Sequence, residues 1–474
     1  MSTAAKIFSN TAWQIGLRLV ELVIGVFTLA LITRYLGQTQ YGYYTTIMAW
    51  LQLVSIVIDF GLYLTLLREL AAKPENEQHS ILNNVFTLRL ISALIFFACG
   101  VFIIQFLPYP QIIKNGVIAL SFSFFFVSLV TVLTAVFQKK LAMPKVAVSS
   151  LASKVLLLIL IYLGIRQQVS LQTLMYLSSA ASFFFFILIW FWINKYHSLK
   201  LSWDWHYWLT ILVKTWPLAV TTALNLIYFK IDTVFLSLYQ PASDVGLYGA
   251  SYRVLEITTT FPHMFMGLLL PLLTAAWIAT DYQRFYRIWQ KAFDIFALLT
   301  FPLVAGTLIV STPLMTLVAG KAFAASGPIL NILIVATAII FFGTLGTYVV
   351  LTLEKQKQMV KYFLLAAILA VIGYWWLIPI YSYWAAAWVT LVVEALIVVF
   401  AWLTIRRQWH YRPSFTVAGK ALLASIIMAL VVNGLYFLPL PVQILIGIII
   451  YGCGLIVTKA FSWSEIKSLV FPQA

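Results

Sequence analysis

Charge is scarce in this chain. Of its 474 residues, 9% are charged, against roughly 25% in a soluble domain. Acids are scarcest, with 14 Asp and Glu against 30 Lys and Arg. So little charge excludes a soluble globular enzyme and a disordered chain. Two cysteines, Cys99 and Cys453, lie far apart in apolar runs. They exclude a disulfide-stapled secreted module and read as small packing residues. The five histidines show no metal-ligand spacing, and no H-E-x-x-H occurs. Gly320-Lys321 lacks the rest of a Walker A loop, so ATP is not the expected energy source. There is no nucleophile elbow. Neither a catalytic role nor a metal is expected.

What is abundant is apolar surface. Hydrophobic residues make up 63% of the chain. A span needs ~20 of them, so about 300 apolar residues suffice for roughly fourteen spans. The runs are continuous and of helical length, which excludes an outer-membrane barrel. Hydropathy and length place helices at 12–33, 42–67, 81–107, 112–137, 146–164, 170–193, 208–238, 246–278, 291–318, 325–353, 359–379, 382–405, 415–437 and 441–460. The expected fold is an all-α polytopic membrane protein. Its first span carries Arg18 and Glu21 and reads as a retained helix, not a cleavable leader.

The loops sort by charge. One alternate set holds most of the loop bases, among them Arg68, Lys139, Lys140, Lys195, Arg284 and Arg406. The other holds Arg34, Lys114, Arg166 and Lys321. A missed span mid-chain would scramble that split. The positive-inside rule then puts both termini in the cytoplasm. The net charge of +16 is thus topology, and nucleic acid is not an expected partner.

A weak repeat divides the chain. Trp13 precedes Gly42-Tyr-Tyr44 by 29 positions, and Trp216 precedes Gly246-Leu-Tyr248 by 30. Six helices separate the copies. This gives an N-lobe at 1–193, an interfacial linker at 194–207, a C-lobe at 208–405, and two further helices with a tail at 406–474. Transporters built from such halves carry a central site that opens alternately to each side. Pro217, Pro262, Pro271, Pro302 and Pro313 are expected to bend helices seven to nine.

An ionised side chain at the bilayer centre costs at least ~2.5–3.5 kcal/mol, so each needs a cavity or a partner. The bases within the spans are Arg18, Arg89, Lys154, Lys214, Lys230, Arg253 and Lys420. The acids are Glu21, Asp59, Asp232, Glu256, Asp294 and Glu394. Lys214, Lys420 and Asp294 lie near helix ends and read as structural. Arg18–Glu21 and Arg253–Glu256 share the i,i+3 spacing, which suits an intrahelical pair as well as a ligand site. Arg89 has no acid on its own helix face. Lys230 and Asp232 point to nearly opposite faces. Asp59 and Glu394 are deep carboxylates. With Glu21, Asp232 and Glu256, they are candidates for a coupling ion or a gate.

Several short motifs carry a resemblance. Arg34-Tyr-Leu-Gly37 with Tyr41-Gly42-Tyr-Tyr44, Asp59-Phe-Gly61 with Arg68-Glu69, and Asp232 with Val245-Gly246-Leu-Tyr248 and Arg253 resemble the helix junctions of Wzx-type polysaccharide flippases. These belong to the multidrug/oligosaccharidyl-lipid/polysaccharide (MOP) exporter superfamily. The resemblance implies a V-shaped transporter of two six-helix lobes that flips undecaprenyl-pyrophosphate-linked oligosaccharide across a bacterial plasma membrane. It implies a cationic cavity and alternating access, with H⁺ or Na⁺ as a coupling ion and no other cofactor. The expected partners are the lipid-linked oligosaccharide, membrane lipid, and polysaccharide polymerase or chain-length machinery. Arg suits bidentate phosphate contacts. Arg18, Arg89, Arg253 and Lys230 are therefore the candidate pyrophosphate ligands. A drug/cation antiporter of the same superfamily would rely more on the carboxylates. A non-transporting scaffold would not need so many buried charges.

Overall fold

The computed structural model describes residues 3–59, 61–409 and 412–460, with side chains from 16 onward except at 19, 76 and over 217–229. Trp13, Pro217 and His410, which figure in the sequence reading, fall outside the described side chains. Among the described residues there are thirteen α-helices and no strand. They are α1 (Thr3–Asp59), α2 (Leu62–Ala72), α3 (Glu75–Phe106), α4 (Gln111–Lys139), α5 (Met143–Arg166), α6 (Leu171–Ile193), α7 (Trp205–Tyr239), α8 (Ala242–Ile278), α9 (Tyr282–Ala319), α10 (Ser326–Thr352), α11 (Gln356–Arg406), α12 (Thr416–Gly434) and α13 (Leu440–Val457). Eleven helical segments among the described residues are long and apolar enough to cross a membrane.

Two of the helices are too long to be single spans. A straight helix of 57 residues would run about 85 Å, against a hydrocarbon core of ~30 Å. α1 breaks at Gly37, where φ is 65° and ψ is −178°. That region is essentially open to glycine alone, so the Arg34-Tyr-Leu-Gly37 motif ends the first span for a steric reason. α11, 51 residues long, breaks at Ser382 (φ 51°), three residues after Pro379. Each break falls where two adjacent spans are expected. The span expected at 42–67 is not one continuous helix. α1 stops at Asp59, and Gly61 sits left-handed (φ 71°) ahead of α2. Hydropathy is blind to a backbone dihedral, which is why the break did not show.

Prolines open several helices. Pro74, Pro110 and Pro439 are the N-caps of α3, α4 and α13. A missing N–H costs little in the first turn, where donors have no intrahelical partner anyway. Pro262, Pro271, Pro302 and Pro313 lie inside α8 and α9.

The chain forms two compact units. The first comprises residues up to Gly249 together with Val318–Gly320. Within it α4 is central, packed against α1, α2, α3, α5 and α6. α7 packs on α1, α2 and α3. The core joins Leu66, Leu82, Val85, Leu133, Phe137 and Ile189. The second unit comprises Ala250–Leu317 and the chain from Lys321. There α10 lies against α11 and α12 against α13. Much apolar surface stays uncovered, including Leu430, Leu445, Ile448 and Ile456. Such a surface fits lipid rather than water.

One close approach lies within the first unit. A Cβ on Gly42 would run into the Ala242 carbonyl and sit 3.1 Å from Gly246 N. A Cβ on Gly246 would run into the Gln38 carbonyl and sit 3.1 Å from Gly42 N. Gln38 and Ala242 each precede their glycine by four residues. Gly249, three residues past Gly246, packs on Thr45, three past Gly42. Gly42 and Gly246, each the glycine of its Gly-x-Tyr motif, thus meet reciprocally.

Candidate functional site

α1, α2, α4, α5 and α6 of the first unit line an open cavity of about 480 Å³. Its lining includes Arg18, Glu21, Tyr63, Thr131, Lys154 and Phe185. Glu21 is buried at 2% exposure. Lys154 Nζ donates to its Oε2 at 2.8 Å, and Arg18 Nη1 stands 3.6 Å from the same oxygen. The cation side chains are far more open, at 40% for Lys154 and 58% for Arg18. A carboxylate at this depth would be costly alone, and two cations offset the cost. The cluster carries one excess positive charge. The i,i+3 pair on α1 was legible in the sequence, but the stronger partner on α5 was not singled out. Its signal was the polar face of Ser149, Ser150, Ser153 and Lys154 on an otherwise apolar helix.

The other candidates lie elsewhere. Arg89, on α3, is 2% exposed and braces the end of α1. Its Nη1 donates to Ile58 O at 2.5 Å, its Nη2 to Asp59 Oδ1 at 3.0 Å, and its Nε to Ser128 O at 3.2 Å. α1 stops at Asp59, so its last carbonyls lack i+4 donors, and the guanidinium supplies one. Asp232, 1% exposed, is held by its neighbours. It accepts from Tyr248 OH at 2.5 Å and from Thr233 N at 2.5 Å and Oγ1 at 3.1 Å. It thereby ties α7 to the tyrosine of the second Gly-x-Tyr motif. Lys230 is half-buried on α7. None of these four lines the cavity. In the second unit, Arg253 Nη1 donates to Glu256 Oε2 at 2.6 Å, and Glu394 is buried in α11. Lys214 pairs with Glu69 at 2.8 Å, Lys420 donates to Lys459 O at 3.0 Å, and Asp294 accepts from Gln290 at 2.8 Å. No group of three His, Cys, Asp or Glu among the described residues could hold a metal ion.

Residues 7–277, more than half of the chain, match the family described as polysaccharide biosynthesis protein. The chain belongs to that family. A protein of Shigella dysenteriae named for O-antigen transport is 21% identical over 378 residues, 78% of this chain and 92% of that protein. Among solved structures, the lipid II flippase MurJ in an inward closed conformation superposes with a TM-score of 0.76 at 16% identity, over 93% of this chain and 97% of that one. An inward-facing multidrug transporter of the MATE family follows at 0.63 and 11%, over 84% and 98%. The chain therefore has the fold of these solved transporters and is a multi-pass membrane protein.

One feature of this family member was missed in the sequence. His197, in the α6–α7 linker, meets His79 with Nδ1 atoms 3.0 Å apart. The linker and the first turn of α7 are docked on α3 by three more bonds. Lys200 N donates to Asn83 Oδ1 at 3.1 Å, Ser202 N to Thr87 Oγ1 at 3.0 Å, and Trp208 Nε1 to Asn84 O at 3.1 Å. Burial, and then the nearby His79, Lys140 and Lys139, push His197 down to about 4. Glu75 opposes them, but it is drawn to Lys140 at 2.7 Å. The docked linker therefore favours neutral His197. Docking is at full strength above the ordinary histidine value near 6.5 and weakens as pH falls toward 4. Amide exchange over 197–208, corrected for intrinsic rates, should be faster at about pH 5 than at about pH 7.5. His197→Gln should erase the difference. Equal protection of the native chain at both values would contradict the latch.

Proposed function

We propose that the protein flips undecaprenyl-pyrophosphate-linked oligosaccharide from the inner to the outer leaflet of a bacterial plasma membrane by alternating access. The observation that carries this is the cavity in the first unit, whose charged cluster is net cationic inside an apolar bundle. A pyrophosphate needs such a site to leave water, while its lipid tail stays in the bilayer and its sugar crosses in the cavity. The family membership and the name of the Shigella relative support a polysaccharide precursor as cargo. The loop charges support both termini in the cytoplasm. The lobes at 1–193 and 208–405, related by the repeat, would be the moving parts. Arg253 and Lys230 would contact substrate in other states of the cycle. Glu256 and Glu394 are the candidate carboxylates for a coupling H⁺ or Na⁺. A cation antiporter would need an acid open to its cargo, whereas Glu21 already faces cations at 2.8 and 3.6 Å.

The test is a deletion strain. Lipid-linked repeat units should accumulate on the cytoplasmic leaflet, protected in spheroplasts from an added sugar-modifying enzyme. The intact gene should relieve the accumulation, and Arg18→Glu should not. Unchanged polysaccharide with no accumulation would reject the flippase and favour the antiporter.

A further inference from the structure

The cavity of the first unit comes with an anion of its own. Glu21 is on its lining, buried, with Lys154 Nζ at 2.8 Å and Arg18 Nη1 at 3.6 Å. The longer contact is beyond hydrogen-bond range, so the guanidinium is held by charge and not by directed bonds. Both cation side chains stay open, at 40% and 58% exposure, while the carboxylate is 2% exposed. Lysine has three donors on a flexible stem, and one of them serves Glu21. The three groups come from α1 and α5, and the other titratable group on the lining is Tyr63 of α2, whose hydroxyl donates to Gln138. A volume of about 480 Å³ lies within the range of small-ligand pockets, roughly 300–1,000 Å³.

We propose that Glu21 is a placeholder for a phosphoryl group: its carboxylate occupies Lys154 when the cavity is empty and gives the ammonium up when a phosphoryl oxygen enters. Two cations against one carboxylate leave a single positive charge, which one phosphoryl charge balances. When Glu21 gives up Lys154, Arg18 still stands 3.6 Å from its carboxylate, so the buried charge keeps a facing cation and the exchange stays reversible. Glu21 also competes with the bound phosphate and so promotes its release. This assigns Lys154, and not Arg89, as the second phosphate ligand beside Arg18. It rests on the flippase reading for the identity of the cargo, but its chemistry needs only a phosphate.

The two carboxylate and lysine variants separate this from a structural ion pair. The purified full chain in detergent would be titrated with farnesyl pyrophosphate, with inorganic pyrophosphate, and with farnesol as the uncharged control. Lys154→Gln should weaken pyrophosphate binding about tenfold or more, the usual scale for one lost charge-assisted bond. Glu21→Gln should do the opposite and tighten it several-fold, while slowing flipping. In the double variant Glu21→Gln/Lys154→Gln, which leaves no buried charge unpaired, the tightening should vanish. A preference for farnesyl over inorganic pyrophosphate would place a lipid headgroup in the site; equal binding would mark a site for the phosphate alone, and either fits the placeholder. Weaker binding in Glu21→Gln, no response in either single variant, or no binding of either pyrophosphate would overturn it. The leaflet assay decides the flippase reading separately, since flipping can survive with the placeholder refuted.

Discussion

Leucine in place of Gly246 is expected to abolish transport and to remove most of the folded protein from the membrane. The added Cβ runs into the carbonyl of Gln38 and lies 3.1 Å from Gly42 N. Overpacking a core typically costs about 1–3 kcal/mol when side chains can yield. Here the obstacle is backbone, which cannot rotate aside, so the cost exceeds that range and the helices must part. Gly42→Leu should behave the same way, because its Cβ meets the Ala242 carbonyl. Leucine at Gly16 or Gly25, where nothing lies within 4 Å, is the matched control and should leave membrane abundance unchanged. Abundance by immunoblot and surface polysaccharide would be read together. Normal values for Gly246→Leu would show that the crossing is dispensable.

That crossing also shows what the sequence could reveal. The two Gly-x-Tyr motifs were visible in the sequence, but that Gly42 and Gly246 press on each other's backbone was not. Gly37 was legible as a helix exit through the resemblance of its motif, and its backbone region supplies the steric reason. The Arg18–Glu21 pair was legible because i,i+3 is a local relation. Lys154 and Glu21 are 133 residues apart, and His79 and His197 are 118 apart. Such meetings depend on how each helix is rotated about its axis. In a soluble protein the polar face gives that rotation away. In a bilayer the lipid-facing and protein-facing sides are both apolar, so the periodicity fades and the inward face cannot be read. Depth survives as a signal, and facing does not. Asp59 and Arg89 were each recognised as needing a partner, yet nothing in the sequence named them to each other.

Arg89→Ala is the second large effect, and it tests a role that sequence reasoning had left open. A ligand-binding arginine and a bracing one predict different losses. If Arg89 served mainly to bind pyrophosphate, its loss would reduce transport in a protein made at normal levels. The geometry predicts the reverse order. The guanidinium is 2% exposed and bonds Ile58 O, Asp59 Oδ1 and Ser128 O, holding α1, α3 and α4 together where α1 stops. Its loss takes a donor from Ile58 O and Ser128 O and a partner from the partly exposed Asp59, at about 1–3 kcal/mol for each buried group left unsatisfied, a large share of a marginal stability. Arg89→Ala should therefore fall first in membrane abundance and in thermal stability in detergent. Asp59→Asn should cost less than Arg89→Ala, because Asn keeps an acceptor for the guanidinium and Ile58 O and Ser128 O keep their donor, although the buried charge loses its counter-ion. Arg89→Lys should recover little of the loss, since an ammonium cannot reach three acceptors with a planar fork. A stable, abundant Arg89→Ala protein with lost flipping would return the residue to the substrate path. The expected collapse would leave Lys154 and Arg18 as the cations that meet the cargo in this state of the molecule.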